Sequence, residues 1–374
     1  MELKIGVQEL SRALARSQGI VEKKSTMPIL SHVLLEAYKS GELTVAATDL
    51  DVAVQGRHQC ESVAKEGKVA VPARHLFDVV KALPEATVSL RKTQNNYLEV
   101  RSGAAEFRMV GLPAEDFPAL PKPEKVPFVK VGATVMLGLI ERTAFAVSSD
   151  ETRYNLNGVF FETQGGKLRL VATDGHRLSL AEADSPGDFK LKKGVIIPRK
   201  GLIELKKLLA EAVEGGEEKP SADLGFVESS AIVCRAGVTL VMRLIEGMFP
   251  DYHQVIPKGG EKVLKVGRAR LLETLRRVSL LASDKSHAVK LELGKGNLRV
   301  LSQNPDLGEA KEDVTVEYQG EPLKIGFNAR YLIDVLQVLT SEDVAFEMAD
   351  DLSPGVLKPA GEEGYTAVIM PMRI

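Results

Sequence analysis

Apolar Leu202, Ile203, Leu205, Leu208 and Leu209 recur at helical spacing just after the run Ile196-Ile197-Pro198. The run reads as a strand end closed by proline, and the spaced set as the stripe of an amphipathic helix over 199–212. Arg199, Lys200, Lys206 and Lys207 make the other face of that helix basic. The pattern occurs twice more, over 70–83 through Pro72 and Arg74, and over 325–339 through Phe327 and Asn328. Pro72, Pro198 and Phe327 stand at equivalent places, 126 and 129 residues apart. The chain is a threefold repeat.

Each third opens with a short strand, a glycine and a helix: Leu3–Gly6 then 8–18, Phe128–Gly132 then 134–147, and Leu264–Gly267 then 269–282. A hairpin follows, pairing 30–37 with 42–47, 158–163 with 167–172, and 289–293 with 298–302. One more run (51–57, 178–183, 308–318) precedes the second helix, and further strands complete the unit. The proline-rich exits at 111–121 and 246–257 set the boundaries, so the expected domains are 1–125, 126–258 and 259–374. Each is about 125 residues of two helices and short strands, an α+β unit. No Gly-x-Gly-x-x-Gly follows a strand, and β does not alternate with α as in a doubly wound fold.

The 374 residues are 44% apolar, enough for a core in each third. Cys60 and Cys234 imply neither a disulfide framework nor a metal cage. Met1 leads straight into an alternating strand pattern and no apolar run approaches a membrane span, so a cytoplasmic protein without a signal peptide is expected. The net charge of −2 hides a sorting. The helical stretches 8–24, 74–83, 134–147, 199–212, 268–285 and 328–339 hold 17 Lys/Arg and 9 Asp/Glu, leaving 32 against 42 elsewhere. Solvated helix faces would enrich Glu as much as Lys; basic helices facing a phosphate backbone account for the bias. Helices pack about 8–10 Å apart, so a ring of six leaves a hole of roughly 17 Å and a ring of twelve about 34 Å. A duplex is about 20 Å across. Two copies are needed to surround it.

The motifs Arg153-Tyr154-Asn155-Leu156-Asn157-Gly158, Thr173-Asp174-Gly175-His176-Arg177-Leu178, 197–205, Phe249-Pro250-Asp251-Tyr252, Phe327-Asn328 and Met370-Pro371-Met372-Arg373-Ile374 follow one another along the triplicated chain. In that order the sequence resembles the bacterial DNA polymerase III β subunit, the replication sliding clamp, over its whole length. The resemblance implies three repeated DNA-clamp domains with helices lining a central hole and antiparallel sheets outside. It also implies closure as a head-to-tail homodimer, a six-domain ring threaded by double-stranded DNA. Such a ring has no active site or cofactor; it tethers polymerase so that dissociation becomes sliding, and its partners are the replicative polymerase catalytic subunit, the clamp loader, translesion polymerases and repair proteins.

These partners bind through short linear motifs. The implied partner-peptide pocket comprises Arg153, Leu156, Thr173, Gly175, His176, Arg177, Leu178, Pro250, Val255, Val368, Met370, Pro371, Met372 and Arg373, an apolar trough with His176 and Arg177 at its polar end. The implied DNA contacts are Lys24, Arg74, Arg153, Tyr154, Arg199 and Lys200. Asp150 departs from the family, which has Gln there. The family's interface sets a basic strand of the first domain against an acidic segment of the third. Here Glu106–Lys311 and Arg108–Glu309 or Glu312 are the expected pairs, with Met109, Leu280 and Leu281 as the apolar centre. The competing reading is a metal-dependent enzyme acting on nucleic acid through Asp174 and His176 or Asp49 and Asp51. No second His or clustered carboxylate accompanies these, and Thr48-Asp49 repeating Thr173-Asp174 favours a turn-forming Asp. No metal is expected.

Overall fold

The computed structural model describes every residue except 23–25, 122, 125, 192, 258, 284–285 and 374. Among the described residues six α-helices form: α1 (Val7–Ser17), α2 (Ala73–Lys81), α3 (Ala133–Thr143), α4 (Arg199–Glu214), α5 (Arg268–Val278) and α6 (Ala329–Val338). The chain folds as two compact units. One comprises Met1–Thr134, Gly187–Lys190 and Lys200–Leu244, and the other Val135–Pro186, Leu191–Arg199 and Ile245–Ile374. The architecture is α+β and every strand pair is antiparallel.

In the first unit an eight-stranded sheet runs in the spatial order Val129–Gly132, Ser221–Val227, Ser230–Arg235, Val238–Arg243, Val52–Gln59, Glu42–Thr48, His32–Ala37 and Gly67–Pro72. A five-stranded sheet, Ser62–Lys65, Glu2–Gly6, Thr87–Lys92, Leu98–Ser102 and Ala105–Met109, accompanies it. The second unit repeats the larger sheet as Val195–Pro198, Gly158–Gln164, Lys167–Thr173, Arg177–Asp184, Tyr365–Ile369, Gly355–Pro359, Asp343–Met348 and Lys262–Gly267. Its smaller sheet is Gly308–Thr315, Asn297–Asn304, Ala288–Gly294 and Leu323–Asn328.

The helices bury most of the stripes expected of them: Leu202, Leu205, Leu208 and Leu209 on α4, and Leu332, Val335 and Leu336 on α6. Ile203, expected in the α4 stripe, is instead exposed, because it lies off the arc that the four leucines share. Gly201 lets α4 approach its sheet, since a Cβ there would lie 2.7 Å from Met242 Cγ. Helix ends differ from the periodicity. The Thr143 hydroxyl donates back to the Leu139 carbonyl at 2.8 Å, and the chain tightens into a 3₁₀ turn over Ala144–Ala146 instead of continuing to 147. α5 likewise stops at Val278 before a 3₁₀ turn, Ser279–Leu281. The charge sorting shrinks accordingly, to 14 Lys/Arg against 8 Asp/Glu on the helices as they form.

The repeat register also needs one correction. His32 pairs with Pro72, Gly158 with Pro198 and Ala288 with Asn328, and each second helix starts at the next residue. Asn328, not Phe327, is the counterpart of the two prolines. Its side chain caps α6 by accepting from the Arg330 N–H at 2.9 Å, while Phe327 is fully buried in the core.

The Thr-Asp turns of the first two repeats are wired alike. Thr48 Oγ1 donates to the Val52 carbonyl and accepts from Leu50 N–H, and Asp49 Oδ1 accepts from Asp51 and Val52 N–H. Thr173 and Asp174 make the same bonds to Arg177, Gly175 and His176. The third residue is left-handed in both, with φ of 81° at Leu50 and 89° at Gly175. Leu50 therefore carries a strain that Gly175 avoids, about 1–2 kcal/mol. Leu50→Gly should leave the denaturation midpoint nearly unchanged, because relief of strain is offset by about 0.5–1 kcal/mol of unfolded-state entropy. Gly175→Leu should lower it clearly, since a Cβ there would also meet Arg153 Nη1 at 2.8 Å. Equal effects from the two substitutions would contradict the shared wiring.

Candidate functional site

The turn Thr173–Leu178 brings together part of the expected pocket. Leu178 lies opposite Val368 across the strand pair, and Met370 N–H donates to the His176 carbonyl at 2.9 Å. Beneath them Val171, Leu178, Tyr252 and Val368 form a buried cluster, flanked by Phe160, Leu180, Phe249 and Ile256. Phe160 and Phe249 stack at 4.9 Å. Tyr252 anchors the segment carrying Pro250 and Val255. Its hydroxyl donates to Glu162, and burial raises its pKa. Leu156, Leu178 and Val368 are thus floor, buried beneath the surface. Val255 and Met370 remain exposed and line one cavity of about 390 Å³ with Pro257, Pro354 and Val356. Met372 and Arg373 line a different one, about 400 Å³, with Lys324, Ile325 and Leu352. Pro371 is half-buried between them in sequence.

Arg177 departs from the role expected of it. Its guanidinium donates to Asp174 at 3.1 Å, to Asp334 at 2.5 Å and to the Phe145 carbonyl at 2.7 Å, and lies 4.6 Å from the centre of the Tyr331 ring. With its side chain 11% exposed, it braces the turn from inside. His176 is exposed, and its ring stacks on Tyr331 at 6.5 Å. Tyr331 and Asp334 on α6 belong to this constellation and were not foreseen; only the i, i+3 spacing of an aromatic and an acid hinted at them.

The expected DNA contacts divide. Arg74, Tyr154 and Arg199 are exposed. Arg153 donates to Asp150 at 3.1 Å and to the Asp174 carbonyl at 3.4 Å, which ties it to the pocket turn. Asp150 caps the 3₁₀ turn Glu151–Leu156, and hydrogen bonds from Thr152, then from Arg153, hold its pKa below the usual carboxylate range. The Lys200 ammonium is engaged by the Asp49 carboxylate and the Ile20 carbonyl. Lys24 lies outside the described residues.

Among the strands that end their sheets are Ala105–Met109, at one end of the five-stranded sheet, and Gly308–Thr315, at one end of the four-stranded one. On the first, Glu106 meets Arg101 at 2.8 Å, Arg108 lies 4.2 Å from the Tyr97 ring centre, and Met109 is half-buried. On the second, Glu309 and Lys311 are exposed. Glu312 is engaged within its own repeat by Arg277 at 2.8 Å, Thr274 at 2.9 Å and Arg270 at 3.0 Å, so of the two acids expected to face Arg108 only Glu309 is free to do so. Leu280 is 76% exposed and Leu281 half-buried.

Three family models match the chain in succession: DNA polymerase III beta subunit, N-terminal domain, over residues 1–121; central domain, over 130–251; and C-terminal domain, over 253–373. The chain belongs to the DNA polymerase III beta subunit family. Among its relatives, the beta sliding clamp of Pseudomonas putida is 37% identical, with all of both chains covered. The DNA polymerase sliding clamp of Pseudomonas aeruginosa superposes with a TM-score of 0.91 at 36% identity, over the whole of both chains. The DNA polymerase III beta subunit of Thermotoga maritima does so at 0.91 and 30%, covering 100% of this chain and 99% of its own.

The carboxylates considered for an enzymatic reading are occupied. Asp49 and Asp174 each accept two backbone N–H groups and a cationic side chain, and no cluster of His, Cys, Asp and Glu among the described residues has metal-binding spacing. No described helix is long and apolar enough to cross a membrane.

Arg277 foremost, with Thr274 and Arg270, lowers the Glu312 pKa to about 2. An unfolded glutamate titrates near pH 4.3. The stabilisation from this group is therefore complete above about 4.3 and disappears as pH falls through about 2. Glu312→Gln should flatten the pH dependence of the denaturation midpoint between those values. An unchanged acid limb would show that the ion cluster contributes nothing.

Proposed function

We propose that the chain is a processivity clamp without an active site of its own, working in the cytoplasm. Two copies join head to tail into a six-domain ring, with domains 1–125, 126–258 and 259–374, whose helices line the hole around double-stranded DNA. The ring tethers the replicative polymerase catalytic subunit, the clamp loader, translesion polymerases and repair proteins through short linear motifs in the pocket at Thr173–Leu178, Pro250–Val255 and Val368–Arg373. Val255 and Met370 offer the exposed apolar surface, and His176 the polar end. Duplex contact falls to Arg74, Arg153, Tyr154 and Arg199.

The observation that carries this reading is a rule obeyed twice inside the chain. The fourth strand of one repeat pairs with the last strand of the next, Val52 opposite Met242 and Arg177 opposite Ile369. The hairpin ladders make Ala53, Leu178 and Glu309 equivalent, opposite Thr48, Thr173 and Gln303. Bridges from Leu112, Ile245 and Met372 to Ala70, Ile196 and Gly326 make Met109, Met242 and Ile369 equivalent. Of these joining strands, the third repeat's fourth strand and the first repeat's last strand are the two without such a partner among the described residues. Applied across two copies, the same register sets Gly308 opposite Met109, Glu309 opposite Arg108, Ala310 opposite Phe107 and Lys311 opposite Glu106. Both charged positions meet opposite signs, and two open edges become one sheet.

Lys311→Glu puts like charges opposite each other at both joints of the ring. Cross-strand charge pairs contribute about 0.2–1 kcal/mol each, so losing one at each of two joints should weaken the dimer by about twofold to thirtyfold in sedimentation analysis. Adding Glu106→Lys should restore it. Failure of the second change to rescue the first would refute this register.

A further inference from the structure

The second residue of the second helix is a cation in all three repeats: Arg74, Lys200 and Arg330. In the first unit Lys200 has a structural task. It reaches the Asp49 carboxylate on the first repeat's turn and donates to the Ile20 carbonyl at 2.8 Å. In the second unit the clasp is reversed. The cation sits on the turn as Arg177 and its carboxylate on the helix as Asp334, 2.5 Å apart. Asp174, the counterpart of Asp49, already accepts from Arg177 Nε at 3.1 Å. Arg330, the counterpart of Lys200, is left without a clasp to make.

Nothing else in the fold calls for a cation there. Arg330 is exposed, and no described residue forms an ion pair with it. α6 packs through Ala329, Leu332, Val335 and Leu336. The first turn of a helix disfavours positive charge, and no acid in that turn compensates. We propose that Arg330 is a contact of the third repeat to the duplex phosphate backbone, and that Lys200, its counterpart, serves the joint and not the DNA. The assignment rests on the clamp reading.

Fluorescence anisotropy of the full-length dimer on a labelled linear duplex, titrated over a range of KCl concentrations, separates the two roles. Each phosphate contact contributes about 0.9 to the slope of log affinity against log salt. Arg330→Ala should lower the slope by about that amount for each copy that touches the duplex, and Arg330→Lys should preserve it. Lys200→Ala should leave the slope unchanged while lowering the denaturation midpoint. An unaltered slope in Arg330→Ala, or an equal loss in Lys200→Ala, overturns the proposal while leaving the clamp intact. A wild-type dimer with no salt-dependent duplex binding overturns the clamp reading and this inference with it.

Discussion

The structure depends on the requirement that a sheet edge find a partner. An unpaired strand presents a row of N–H and C=O groups that must be covered, solvated or paired. This chain meets the requirement by lending the last strand of each repeat to the repeat before it, which welds the second repeat to its neighbours through backbone hydrogen bonds. Three repeats have three such strands but only two internal joints. In the proposed ring the remaining pair of edges joins one copy to the other. Their alternating charges, Glu106 and Arg108 on one and Glu309 and Lys311 on the other, favour one register over slipped ones, because a one-residue slip turns every side chain to the other face.

Once the joints are made by backbone, side-chain charge is free to divide its duties. Some ions hold turns to helices: Lys200 on Asp49, and Arg177 between Asp174 and Asp334. Others, such as Arg74 and Arg199, stay exposed on helices. A surface for sliding needs diffuse attraction without fixed base contacts, and scattered long cations supply that. The proposed partner pocket is built differently. A buried floor of Leu178, Val368 and Tyr252 carries a few exposed apolar groups, and flexible Met370 can adapt to varied motifs.

The repeat, its hairpins, the second helices and the family were all legible in the sequence, because periodicity, turn residues and motif order are local signals. The offset at Asn328 was missed because an asparagine cap had replaced proline beside a core phenylalanine, and matching apolar Phe327 to the prolines hid it. Helix ends were misread where a threonine back-bonds or the chain tightens to a 3₁₀ turn, neither of which changes the apolar spacing. The allocation of charge was least legible. Lys200 finds the Asp49 carboxylate 151 residues away, so nothing nearby distinguishes it from a free surface cation; of the two carboxylates on Arg177 only Asp174 is near, and Asp334 lies 157 residues off.

The central claim is topological: duplex DNA passes through a closed ring of two copies. The direct measurement is retention of the labelled protein on nicked circular DNA after loading by a matching clamp loader, before and after the circle is cut once. Encirclement predicts stable retention on the circle and rapid loss from the linear ends at the same salt concentration. Equal, salt-sensitive binding to circular and linear DNA would contradict it and would reduce the basic helices to an ordinary DNA-binding surface.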